Sequence, residues 1–252
     1  MTAHETTRMR WHPHLTVTKL LVATWVAMTW ASAGAADGVS TPAGPEGPAQ
    51  IAYAPAKGPG PAVILLSGQS GPALYQEYAA EVASLGYYAV LLDGKDILTR
   101  TQDGAANLKN AIERAQRSQY VVPGKSAVIG FSQGGGGALA YATNMTDRVS
   151  MVVLYYPATS WTQNLGAIVK RFSVPVLVLA GERDRYNNNC CGIESMRAME
   201  TAAKEAGAKF ELVVYPQANH SFNLKGPDLR RDDTADAWRR STEMLKLHHP
   251  LR

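Results

Sequence analysis

Gly130-Phe131-Ser132-Gln133-Gly134 is a G-x-S-x-G pentapeptide, a pattern that turns an ordinary serine into a nucleophile. The serine sits on a sharp strand-to-helix turn, so small flanking residues are needed and the hydroxyl is pushed out at the top of a sheet. The pentapeptide alone is weak, but its setting is specific. A buried apolar run, Ser126–Phe131, leads in, and Gly134–Thr143 reads as the opening of a helix. A glycine-rich turn with a bystander serine is the competing reading, and the strand–turn–helix context counts against it. Gly135, Gly136 and Gly137 extend the run into the helix, where each glycine costs about 1 kcal/mol relative to alanine. That expense fits a helix start packed hard against neighbouring strands. A phosphate cradle would need Lys and then Ser or Thr after the glycines, and Ala138-Leu139 follow instead.

A serine hydroxyl needs a base. Of the six histidines, His4, His12 and His14 lie in a leader-like segment, and His248 and His249 read as a solvated C-terminal tail. His220, directly after the apolar run Phe210–Tyr215, is left as the base. The base must be oriented by a carboxylate. Gly181-Glu182-Arg183-Asp184 follows another such run, Val174–Ala180, and offers two acids. Asp184 stands further into the loop and reaches over the sheet edge more easily, with Glu182 as the alternative. The order Ser132, Asp184, His220 is the order of an α/β-hydrolase. An oxyanion hole takes one N–H from the residue after the nucleophile and one from a loop after an earlier strand. Gln133 supplies the first, and Gln69, in Ser67-Gly68-Gln69-Ser70-Gly71, is expected to supply the second. A plain strand–helix turn is the alternative role for that earlier loop.

The positioning elements follow from periodicity. Ala62–Ser67, Tyr87–Leu92, Ser126–Phe131, Met151–Tyr156, Val174–Ala180 and Phe210–Tyr215 are near-continuous apolar runs. Tyr75–Leu85, Ala105–Gln119, Gly134–Thr143, Glu194–Ala206 and Thr234–Leu247 carry helical spacing between them. Such alternation predicts an α/β fold with a mostly parallel sheet covered by helices on both faces. The stretch from Asp37 to Pro61 is rich in Gly, Pro and Ala, and reads as a flexible lead-in with one short edge strand around Ile51–Tyr53. The connection from Tyr156 to Val174 has room for a turn or a small helix and not for a lid domain.

With 252 residues, 46% hydrophobic and 18% charged, the chain has the composition of a globular protein able to build one large core. Arg8, Arg10 and Lys19 precede the apolar run Leu20–Trp30, which ends in Ala31-Ser32-Ala33-Gly34-Ala35-Ala36. This is the layout of a secretory signal peptide with an exit after Ala33 or Ala35. The alternative, a membrane anchor, wants about 20 apolar residues, more than this interrupted run provides. Export then implies no stable membrane insertion of the mature chain. Losing three bases and one acid with the leader takes the formal charge from +4 to +2. Basic residues are spread thinly, which argues against a nucleic-acid partner. Neighbouring Cα atoms such as those of Cys190 and Cys191 stand about 3.8 Å apart, closer than most disulfides adopt. Two free, partly buried thiols are therefore expected, with a strained vicinal bridge as the alternative.

These residues resemble the dienelactone hydrolase family within the α/β-hydrolases. The likeness covers about Ala62 to Leu247 and rests on Gly86-Tyr87 and on Gly130-Phe131-Ser132-Gln133-Gly134-Gly135. It rests further on Gly181-Glu182-Arg183-Asp184, Tyr215-Pro216, His220-Ser221-Phe222 and Asp236-Ala237-Trp238. The resemblance implies the α/β-hydrolase fold, ester hydrolysis, and Asp184 rather than Glu182 as the acid. Two departures matter. Ring-opening members of the family carry Cys where this chain has Ser132, and an acidic residue in the loop that here reads Ser67–Gly71. The lactone substrate is therefore not carried over. The expectation is an exported serine hydrolase of small carboxylic esters, needing no cofactor and no metal. Acyl transfer or peptide cleavage by the same residues, or a non-catalytic binding protein of the same fold, are the alternatives.

Overall fold

The computed structural model describes Met1 and residues 37–251, and those from 37 onward lie in one compact unit. The leader and its exit site fall outside the described residues. Eight strands, β1 (Val39–Thr41), β2 (Gln50–Tyr53), β3 (Ala62–Leu66), β4 (Tyr88–Leu92), β5 (Ser126–Phe131), β6 (Val149–Tyr155), β7 (Val176–Gly181) and β8 (Phe210–Tyr215), form one sheet. Their order is β1-β2-β4-β3-β5-β6-β7-β8. The six strands from β3 to β8 pair in parallel, while β1 and β2 pair antiparallel at one edge. Every residue of β3, β4 and β5 is buried, as expected of strands covered on both faces.

The helices are α1 (Gln76–Ser84), α2 (Gly104–Gln116), α3 (Ser132–Tyr141), α4 (Leu165–Val169), α6 (Ile193–Ala206) and α7 (Arg231–His248), with α5 (Tyr186–Asn189) a single irregular turn whose backbone is not that of a regular helix. Alternate strand residues divide the core into two layers. On one face Leu66, Leu92, Val128 and Leu154 pack with Leu108, Leu139 and Met196 of α2, α3 and α6. On the other, Leu65, Leu91, Ile129 and Val153 pack with Val82 of α1 and Leu245 of α7. α4 is the only helix between β6 and β7, so no large lid domain is inserted there.

Two readings of the sequence need correcting. The segment read as a lead-in with one edge strand contributes two, β1 and β2. It is tied to α2 by Arg114, which donates from Nε to Gln50 Oε1 at 2.9 Å and from Nη2 to the Pro48 carbonyl. β2 is the strand read around Ile51–Tyr53, while β1 is three residues long and mostly exposed, so no apolar run marks it. His249, read as part of a solvated tail, is buried. Its Nε2 lies 3.0 Å from the Ala62 carbonyl and its Nδ1 3.0 Å from Ser150 Oγ, while its ring stacks on Tyr87. A carbonyl only accepts, so Nε2 donates and, in the neutral ring, Nδ1 accepts from Ser150.

Removing that buried partner takes one donor from the Ala62 carbonyl and the ring acceptor from Ser150, whose hydroxyl keeps only a long contact to the Ser126 carbonyl at 3.4 Å. His249→Ala is therefore expected to cost about 1–3 kcal/mol, read from the urea midpoint. Asp236 in the second turn of α7 accepts from Tyr215 Oη at 3.1 Å and from Arg240 Nε at 2.7 Å, joining the helix to β8. Burial works to raise its carboxyl, but hydrogen bonds from Arg240 and Arg239 outweigh it and hold it at about 2. A depressed carboxyl stabilises the fold above its unfolded value, near 4, and that contribution drains away as the pH falls toward 2. Asp236→Asn should flatten this acid limb in a series of denaturation curves.

Candidate active site

Strand order reverses between β3 and β5, and in open α/β sheets the crevice outside the carboxyl ends at such a point is where ligands bind. Both the loop after β3 and the turn from β5 into α3 open here. Ser132, the first residue of α3, has φ of 49°, a conformation uncommon outside glycine and asparagine. The turn is tolerated because its neighbours lack side chains. A Cβ on Gly130 would stand 2.7 Å from the Gly134 carbonyl oxygen, and one on Gly134 would run into the carbonyls of Leu66 and Ser67. The gap is closed by backbone: Gly134 N donates to the Ser67 carbonyl at 3.0 Å, and Gly94 N donates to Ser67 Oγ at 3.1 Å. The three residues expected to cooperate meet here. His220 Nε2 is 2.9 Å from Ser132 Oγ, and His220 Nδ1 is 2.7 Å from Asp184 Oδ2. Their exposures of 5% for Ser132, 8% for His220 and 0% for Asp184 place the whole relay out of bulk water. An ionised carboxylate only accepts, so the neutral ring carries its proton on Nδ1 and leaves Nε2 to accept from the serine hydroxyl. Glu182 is elsewhere, paired with Arg197 at 2.7 Å.

The two residues expected as oxyanion donors are placed less directly. Gln133 is in the first turn of α3, where backbone N–H groups have no intrahelical acceptor and the helix dipole favours negative charge. Its side chain is turned away, Nε2 donating to the Leu98 carbonyl at 2.7 Å, which leaves the backbone as its contribution. On the opposite side, a Cβ on Gly68 would lie 3.3 Å from Ser132 Cβ, so Gln69 belongs to the loop that packs on the serine. Tyr75 backs this loop from below. Burial pushes its hydroxyl up to about 12, so it stays protonated.

Several residues around the relay carry no signal in the G-x-S-x-G pattern. Tyr156 (φ 36°) and Ser221 (φ 59°) are, like Ser132, left-handed without being glycine, and strain of this kind gathers at functional sites. The Tyr156 ring approaches His220 at 4.6 Å between centroids, and its hydroxyl donates to Asn223 Oδ1 at 2.6 Å. Tyr186 lies flat on the imidazole at 4.4 Å. The run Asn187-Asn188-Asn189, all three with positive φ, was a readable hint of an unusual turn, since asparagine visits that region most easily. Cys190 and Cys191, expected as free thiols, are joined to each other.

Asp184, His220 and Cys191 bring one ligand atom each to within 4.8 Å of one another. The sulfur is bonded to Cys190 and the other two groups are spent on each other, so the cluster reads as a hydrogen-bonded relay rather than a ligand set. No helix among the described residues is long and apolar enough to cross a membrane. Under denaturing conditions the protein should show no thiol reactive toward Ellman's reagent from residues 190 and 191, and two after reduction.

The family model of the dienelactone hydrolase family matches residues 91–249, a span containing Ser132, Asp184 and His220. A protein of Escherichia coli named "Putative carboxymethylenebutenolidase" is 29% identical over 128 residues, 48% of this chain and 45% of that protein. The chain thus spans less than half the length of that curated relative. Among solved structures, a thermophilic esterase of Thermogutta terrifontis superposes with a TM-score of 0.63 at 20% identity, covering 86% of this chain and 96% of that one. A dienelactone hydrolase-like promiscuous phosphotriesterase from metagenomic libraries gives 0.65 at 19% identity, covering 79% and 92%. These two likenesses establish the α/β-hydrolase architecture. With the family pattern matched over most of the chain, the protein belongs to the dienelactone hydrolase family.

Proposed function

We propose that this protein is an exported serine hydrolase that cleaves small carboxylic esters through an acyl-enzyme on Ser132. One observation carries the reading: the unbroken hydrogen-bonded series Ser132 Oγ, His220, Asp184, buried at the carboxyl ends of parallel strands. Ser132 Oγ attacks the ester carbonyl carbon while His220 Nε2 takes its proton. Asp184 holds the Nδ1–H and stabilises the imidazolium without itself being protonated. Charge developing on the carbonyl oxygen is met by the backbone N–H groups of Gln133 and Gln69, each worth a few kcal/mol of barrier. Collapse expels the alcohol, which leaves with the proton from His220. Water then attacks the acyl-enzyme with His220 again as base, releasing the carboxylic acid and restoring Ser132.

Family membership supports a hydrolase acting on small esters. Ser132, standing where ring-opening relatives use a thiol, makes the chain depend on its base, because a hydroxyl has almost no anionic fraction near neutrality. Export is supported by the leader-like residues before 37, and a disulfide between Cys190 and Cys191 suits an oxidising compartment.

A fluorophosphonate probe should modify the folded protein at Ser132 alone, located by peptide mass spectrometry. Absence of labelling in folded protein overturns the reading. Ser132→Ala should lower kcat/KM on short p-nitrophenyl esters on the order of ten-thousandfold or more, with little change in melting temperature. Labelling combined with product formation only when alcohols or amines are supplied as acceptors would replace hydrolysis by acyl transfer.

A further inference from the structure

We propose that Tyr186 is a positioning residue for the base, holding the His220 imidazole in place and stabilising the imidazolium that forms while Ser132 is acylated and deacylated. The inference rests on the serine-hydrolase reading above and adds a residue to it.

The geometry is a closed circuit. Asp184 Oδ2 takes the His220 Nδ1–H at 2.7 Å, and Asp184 Oδ1 takes the backbone N–H of Tyr186 at 3.0 Å. The Tyr186 ring then returns to the imidazole, nearly parallel to it at 6° with centroids 4.4 Å apart. One carboxylate therefore fixes both the in-plane bond of the base and the residue covering its face. Tyr156 bounds the imidazole from a different direction, tilted by 61°.

The cost of this arrangement is visible in the chain. Tyr186 remains 45% exposed, so burial alone is a poor reason for a large aromatic ring at this position. The three residues after it adopt φ of 43°, 56° and 59°, a left-handed backbone that disfavours most side chains and that asparagine tolerates better than most. The far end of the turn is fastened twice, by the Cys190–Cys191 bond and by Thr159, whose N–H donates to the Cys190 carbonyl at 2.7 Å. A loop so constrained delivers Tyr186 to one place.

The chemical consequence follows from the charge cycle of the base. A neutral imidazole meets the tyrosine face by ordinary packing. An imidazolium meets the negative face of the ring as a cation, and this attraction exists only once the proton has arrived from Ser132. An interaction present in the transition state and absent from the ground state raises kcat and leaves KM nearly unchanged. Contact of Tyr186 with substrate alone would do the reverse.

The test compares Tyr186→Phe, which keeps the aromatic face, with Tyr186→Leu and Tyr186→Met, which keep apolar cover without it. Two readouts are taken: kcat and KM on a short p-nitrophenyl ester, and the first-order rate of Ser132 phosphonylation at saturating fluorophosphonate. Circular dichroism and the thiol count show that each variant has folded and kept its disulfide. Tyr186→Phe should stay within about twofold of the parent, while the aliphatic variants lose roughly threefold to thirtyfold in kcat and in phosphonylation rate. Aliphatic variants as fast as the parent, or a loss confined to KM, overturn the proposal. So does a Phe variant as slow as Leu. If the parent protein labels at Ser132 while the variants behave identically to it, Tyr186 fails and the hydrolase reading stands. If the parent does not label, the hydrolase reading itself fails.

Discussion

The turn from β5 into α3 exists because nothing stands between it and the end of β3. Gly134 approaches the Leu66 and Ser67 carbonyls so closely that a single methyl would collide with backbone, which cannot swing away as a side chain can. That contact sets the height of α3 above the sheet and holds Ser132 at φ of 49°. It also places the loop after β3 against the serine, so Ser132 and the proposed oxyanion side are fixed by one packing event. Gly94 N on Ser67 Oγ brings the end of β4 into the same junction. The interior can sustain such closeness because it is packed to crystal-like density and yields little.

Around that fixed point, strain is distributed rather than isolated. Ser132, Tyr156 and Ser221 each take a left-handed backbone without being glycine, and each follows directly on a strand, a helix start or the base. A local cost of this kind persists only where the surroundings over-determine the conformation. Here the surroundings are the parallel register of β5, β6 and β7 and the aromatic layer of Phe131, Tyr155 and Phe222 beneath the site. Tyr155 is anchored in turn by Ser241 of α7 at 2.9 Å. The relay is preorganised because the strands delivering its members cannot shift independently.

The acid loop solves a different problem. Asp184 is fully buried and offers two oxygens, and both are used by groups whose placement matters, Nδ1 of His220 and the N–H of Tyr186. A buried carboxylate left half satisfied would be costly. The left-handed asparagine turn and the adjoining cysteine bond hold the chain so that this double acceptance is kept. The proposed serine chemistry would draw on such order, since a hydroxyl nucleophile relies wholly on a base held in register.

Sequence alone determined the strand–helix alternation, the serine on its turn and the order of Ser132, Asp184 and His220, because each depends on local composition. Apolar runs of β length, glycines at fixed offsets and the placement of acid and base after strands are all properties of short windows. The tertiary structure decided what depends on distant partners. β1 is a strand because β2 pairs with it, not because its own residues demand it, and β2 is held in turn by β4 and Arg114. His249 is buried because Ala62 and Ser150, both far away in the chain, stand where its two ring nitrogens can bond. The flat contact of Tyr186 on His220 arises only when β7 and β8 lie side by side and bring their following loops together. Local propensity writes the elements, but hydrogen-bond satisfaction and steric closeness between remote segments choose their partners.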